Sequence, residues 1–246
     1  MIDVGLLLTM AVAIGLPALV ARWWHLSTVD TSIGFFDVAV GPAFAGLAAG
    51  RFVAVAIDDP NALTSLSDLL IIRSGVEFWP GVMAALAVAA WGAHRSGVAV
   101  VDRWSDLTPL ALVGYAAYEV GCLVRDGCFG PSAAVGLTPS GTATTMLPVG
   151  VLVAVAVAGG AVVLHREQRR RMPGLIVAAG VFVVAAVRSI GSVWLPHVGD
   201  GLTRQHWSSL VVAFASAVVA VGLLGRARRV PSRVGNQGTA AGSVSV

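Results

Sequence analysis

Long apolar runs, broken by short polar or glycine- and proline-bearing connections, dominate this chain. They cover residues 5–20, 34–57, 75–93, about 107–124, 145–164, 174–195 and 207–224. A run of about 18 or more apolar residues has the length of a membrane-crossing helix. The pattern predicts an all-α integral membrane protein with about seven transmembrane helices. The first residues, Met-Ile-Asp, lack the positive charge of a secretion signal, so the first span is expected to be retained. Residues 1–230 then make a seven-helix transmembrane domain. Residues 231–246, rich in Gly, Ser and Ala without apolar periodicity, read as a disordered cytoplasmic tail. No internal repeat stands out, which speaks against a transporter built from repeated halves.

Composition agrees with this picture: 57% of residues are hydrophobic and only 12% charged, against about 25% charged in ordinary soluble domains. The formal charge of +3 does not point to nucleic acid, because the positive residues are confined to a few short loops and the tail. A phosphate backbone needs a continuous basic track. Arginine placement instead suggests topology. Arg95 and Arg103 fall in one connection, Arg166, Arg169, Arg170 and Arg171 in another, and Arg226, Arg228, Arg229 and Arg233 after the last run. The alternate connections carry Asp58, Asp59 and Asp68, then Arg125 with Asp126, then Asp200 with Arg204. Cytoplasmic loops collect Lys and Arg, so the N-terminus is expected outside and the C-terminus in the cytoplasm.

Four charged residues interrupt the apolar runs: Arg51, Glu77, Glu119 and Arg188. A charge in the bilayer core is costly and persists where it is paired or functional. In this topology all four lie in the outer half of the membrane, with Arg125 and Asp126 capping the same side. They either neutralise one another and lock helices together or line a polar chamber open to the outer leaflet. In such a chamber arginine would hold the phosphate of an anionic lipid through charge-assisted hydrogen bonds. The five histidines, His25, His94, His165, His197 and His206, fall near helix ends or in loops. His206, beside Gln205 and Trp207 at the outer mouth, is the candidate base. Cys122 and Cys128 leave one disulfide or two buried small residues as readings, and no zinc cluster. Small residues across 41–50 permit close helix approach.

Several segments together carry a family pattern: Ala45-Gly-Leu-Ala-Ala-Gly-Arg51, Gly75-Val-Glu-Phe-Trp-Pro-Gly81, Gly121-Cys-Leu-Val-Arg-Asp-Gly-Cys-Phe-Gly130, Val187-Arg188 and Gly201-Leu-Thr-Arg-Gln205. In order and spacing the chain resembles the prolipoprotein diacylglyceryl transferase family along nearly its full length. The resemblance implies a transferase of the bacterial plasma (inner) membrane, working in lipoprotein biosynthesis. Such an enzyme moves a diacylglyceryl group from phosphatidylglycerol to a cysteine thiol of a lipoprotein precursor. A thiolate attacks the glyceryl carbon, glycerol phosphate leaves, and no metal or soluble cofactor is required. On this basis Arg188, Glu119 and His206 are the expected catalytic residues. Arg51, Arg188, Arg125 and Glu77 are the expected lipid-binding residues. Trp79 stands where the family has histidine, and Glu119 where it has an arginine. The family's H-P-x-Q-x-Y-E motif has no counterpart in residues 138–145, and Ser192 replaces an acidic residue. These differences motivate an alternative, a catalytically silent relative acting as a membrane subunit or scaffold for a protein partner.

Overall fold

The computed structural model describes residues 4–24, 26, 35–58, 60–61, 76–124, 126–195 and 202–229. The expected tail, 231–246, lies outside the described residues, as do Arg125, His25 and His197. The described residues form seven helices: α1 (Val4–Ala21), α2 (Phe35–Asp58), α3 (Phe78–Arg95), α4 (Val100–Val124), α5 (Val149–Glu167), α6 (Pro173–Trp194) and α7 (Arg204–Arg229). A short extended segment, β1 (Ser132–Leu137), lies between α4 and α5. Five of the helices, α2, α4, α5, α6 and α7, are long and apolar enough to cross a membrane. This is a multi-pass membrane protein. Its surface fits that solvent, since Leu8, Phe44, Met83, Val155, Phe214 and Val221 are all exposed. In water such a surface would be a liability, whereas lipid tails solvate it.

Helix α4 is the hub, packing against α1, α3, α5 and α6, while α2 pairs with α3 and α7 with α6. Small residues set the closest approaches. A methyl group on Gly81 would lie 2.7 Å from the Gly46 carbonyl oxygen, so α2 and α3 touch through their backbones. Across α1 and α4, a Cβ on Gly121 would meet the Thr9 side chain at 2.3 Å; Thr9 Oγ1, which donates to Gly5 O at 2.7 Å, also lies 3.3 Å from the Gly121 carbonyl. The buried core runs along α4, α5 and α6 through Leu112, Val149, Val153, Val157, Ala161 and Ile176.

Two helix starts differ most from the sequence expectation. Helix α4 begins at Val100 rather than near 107, carrying Arg103, Ser105 and Asp106 inside the protein. Gln168 Nε2 donates to the Ser105 carbonyl at 2.7 Å there, and Arg103 donates to Ser96 Oγ. Those bonds let polar residues continue a helix that hydropathy alone would end. Helix α5 starts at Val149 rather than 145, because the preceding residues pair with the extended segment. Ala133 N donates to Thr145 O, and Leu147 N to Pro131 O.

Candidate functional site

Consecutive helices alternate in direction, so one end of the bundle gathers the start of α3, the end of α4, the end of α6 and the start of α7. Glu77 caps the start of α3 without a side-chain cap bond. Instead its carboxylate pairs with Arg204 at the start of α7, and Arg204 also lies 3.9 Å from Asp58 at the end of α2. The backbone N of Glu77 donates to Gly50 O, which sets Glu77 and Arg51 at one level. The opposite end holds Arg95, Arg103, Arg166 and Arg169.

Beneath the Glu77 rim, Arg188 and Glu119 face each other with Arg188 Nη1 3.8 Å from Glu119 Oε1. Tyr115 joins them. Its hydroxyl accepts from Arg188 Nη1 at 2.8 Å and lines the same chamber as the Glu119 carboxylate. The Arg188 guanidinium also lies over the Phe78 ring at 4.1 Å and near Tyr115 at 5.6 Å. These contacts hold its plane fixed. Arg188 Nε is buried and has no hydrogen-bond acceptor among the described residues.

The group lines a chamber of about 450 Å³ that includes Glu77, Phe78, Tyr115, Glu119, Arg188 and Gln205. Below the polar end its walls are apolar. Pro42, Ala43, Val82 and Ala85 are shared with a second cavity of about 390 Å³ that continues past Trp104 and Leu107. Along α4, the way from Glu119 to Leu107 is about 18 Å at the helical rise. That approximates the half-thickness, about 15 Å, of a bilayer's hydrocarbon core. The site is a polar head pocket on an apolar groove.

Of the sequence-expected site residues, Glu77, Glu119 and Arg188 come together on the chamber wall. Arg51 is buried on α2 at the same level and does not line the chamber. His206 packs against α6. Its Nδ1 lies 2.9 Å from Ser189 O and 3.0 Å from Ser192 Oγ. A carbonyl accepts only, so Nδ1 carries the proton and Nε2 is the basic nitrogen of the neutral ring. Gln205, not His206, reaches the chamber wall. Trp79 donates from Nε1 to Ser209 Oγ at 3.1 Å, tying α3 to α7. Cys122 and Cys128 are joined as a disulfide on the chamber wall, closing the turn that carries Asp126 at φ 53°. Tyr115 and Phe78 were not singled out from the sequence. One turn before Glu119 on α4, Tyr115 was the available signal, since a polar tip at i−4 shares the helix face of the charge.

No protein-family model matches the chain, and no curated protein matches it.

Proposed function

We propose that this protein is a membrane-embedded lipid transferase of the diacylglyceryl-transferase type, working at the outer leaflet of the bacterial plasma membrane. In this reading the chain crosses seven times, with its N-terminus outside and its C-terminus in the cytoplasm, supported by the distribution of arginines among the connections. The observation that carries the reading is the chamber: a guanidinium, held by Tyr115 and Phe78, at the head of an apolar groove about one leaflet deep. A phospholipid has that division of chemistry. Its phosphate accepts from Arg188, and its acyl chains follow the groove past Pro42 and Trp104. The resemblance in the segments around Arg51, Glu77, Cys122 and Arg188 supplies the reaction class, with phosphatidylglycerol the family's donor and a lipoprotein-precursor thiol its acceptor. In that reaction the thiolate sulfur bonds the glyceryl carbon. The carbon–oxygen bond to the phosphate breaks, and the headgroup phosphate departs with the electron pair. Arg188 stabilises the charge that develops on that phosphate. The thiol proton passes to a carboxylate or imidazole, for which Glu119 in the chamber and His206 behind it are the candidates.

One observation favours a second reading. Glu119 already balances Arg188, as it would in a silent subunit whose charges only hold helices together. Turnover separates the two. Purified protein in phospholipid vesicles is given a cysteine-bearing lipoprotein-precursor peptide, and lipidation is followed by mass spectrometry. The transferase reading expects a gain of one diacylglyceryl mass, lost in Arg188→Gln. Absence of any lipidated peptide from a folded, lipid-loaded protein favours the silent subunit.

A further inference from the structure

The charges on the chamber wall do not match a purely anionic headgroup. Its lining carries two carboxylates, Glu77 and Glu119, and one guanidinium, Arg188. Arg204 pairs with Glu77 from the exposed rim. A phosphate entering beside Arg188 therefore meets Glu119 within 3.8 Å of the same guanidinium, and the two anions repel. A headgroup that also carries an ammonium removes this conflict.

Resting on the lipid-handling reading above, we propose that the chamber selects a zwitterionic phospholipid, one whose headgroup bears both a phosphate and a primary ammonium. Three features of the site divide the two charges. Arg188 Nε is buried without an acceptor, while Nη1 is already used by Tyr115. Nε is enclosed by protein, so the phosphate oxygen goes to the remaining donor, Nη2. At 3.8 Å the Glu119–Arg188 contact lies beyond hydrogen-bond range, so the carboxylate retains accepting capacity toward a second donor. A carboxylate offers about four lone-pair sites, and at 3.8 Å Arg188 fills none of them with a hydrogen bond. The stack of the guanidinium on Phe78 stops Arg188 from swinging to satisfy Glu119 more fully. The ammonium then lies between Glu119 and the Glu77 rim, and the acyl chains follow the apolar groove. This donor class differs from the phosphatidylglycerol that the sequence resemblance implies. Glu119, standing where that family has arginine, is the residue that makes the difference.

A hydrogen bond to a charged group contributes about ten- to a hundredfold in affinity, and this sets the size of the expected preference. The test is native mass spectrometry of the full chain in detergent, titrated with phosphatidylethanolamine and phosphatidylglycerol of identical acyl chains. Phosphatidylethanolamine is expected to bind about tenfold tighter or better. Glu119→Gln is expected to bring the two lipids to near parity, and Arg188→Gln to weaken both. A comparison that needs no variant uses N-acetylated phosphatidylethanolamine, which has lost its ammonium and should lose the whole advantage. Free phosphoethanolamine should compete at least a hundredfold more weakly than the lipid, and equal competition overturns the assignment to a lipid. If phosphatidylglycerol binds as well as or better than phosphatidylethanolamine, the zwitterion assignment is overturned while phospholipid binding stands. Binding of neither lipid overturns both.

Discussion

Replacing Arg188 by methionine removes the guanidinium but keeps most of the side-chain volume between Phe78 and Tyr115. Three interactions go with it. At the observed 3.8 Å, the attraction to Glu119 is about 4 kcal/mol for an effective dielectric near 20. The bond to the Tyr115 hydroxyl contributes about 1.5 kcal/mol or more. The stack on Phe78 contributes about 1 kcal/mol. The cost of having desolvated the arginine offsets much of this sum. What remains is the penalty of leaving Glu119 buried with no cation, and breaking one partner of a buried pair costs about 3–5 kcal/mol. Arg188→Met is therefore expected to destabilise the protein by about 3 kcal/mol. In a Glu119→Gln background the same replacement leaves no orphaned carboxylate and is expected to cost only about 1 kcal/mol. The coupling between the two sites is the difference, about 2 kcal/mol. Reversible denaturant unfolding in mixed micelles, followed by tryptophan fluorescence on the wild type, both single variants and the double variant, measures it. Equal costs of Arg188→Met in the two backgrounds would refute the pairing.

Other contacts give smaller, separable effects. Gly81→Ala places a methyl 2.7 Å from the Gly46 carbonyl. It is expected to lower stability by about 1–3 kcal/mol in the same assay. Gly92→Ala, with nothing within 4 Å of the new methyl, should be neutral or slightly stabilising. Trp79→Phe deletes the bond to Ser209 Oγ, on a fully buried serine, and should cost about 1–2 kcal/mol. Reducing the Cys122–Cys128 bridge opens a short loop across a sequence separation of 6. Chain entropy puts the loss at about 2 kcal/mol, which a thermal melt with and without dithiothreitol should register.

Much of the fold was legible in the sequence because lipid imposes a simple rule: spanning backbone must be helical and its outer face apolar. All seven apolar runs coincide with helices, whose ends shift by a few residues where tertiary bonds take over. The polar turn from Asp102 to Asp106 extends α4 because Arg103 Nη2 and the Ser105 carbonyl find partners inside the protein, which hydropathy does not register. The 138–145 segment likewise carried no apolar signal, yet the residues on either side of it pair in register and delay α5. For the site, the depth of Glu77, Glu119 and Arg188 followed from their places along the runs. Which of them meet did not, because rotation of each helix about its axis is set by packing. Gly46 and Gly81 bring α2 and α3 together, and Arg51 ends up buried away from the chamber while Arg188 lies on it. Tyr115, whose hydroxyl accepts from Arg188, lies mid-run on α4, where hydropathy gives it no mark.

The most direct test of the account is to identify what occupies the chamber. Protein purified in a mild detergent, without added lipid, is examined intact by native mass spectrometry and then extracted for lipid analysis. The account predicts one phospholipid per chain, retained through purification and lost in Arg188→Gln while the Gly92→Ala control keeps it. A wild-type protein that carries no phospholipid, or an Arg188→Gln variant that retains it undiminished, would contradict the claim that Arg188 heads a lipid site.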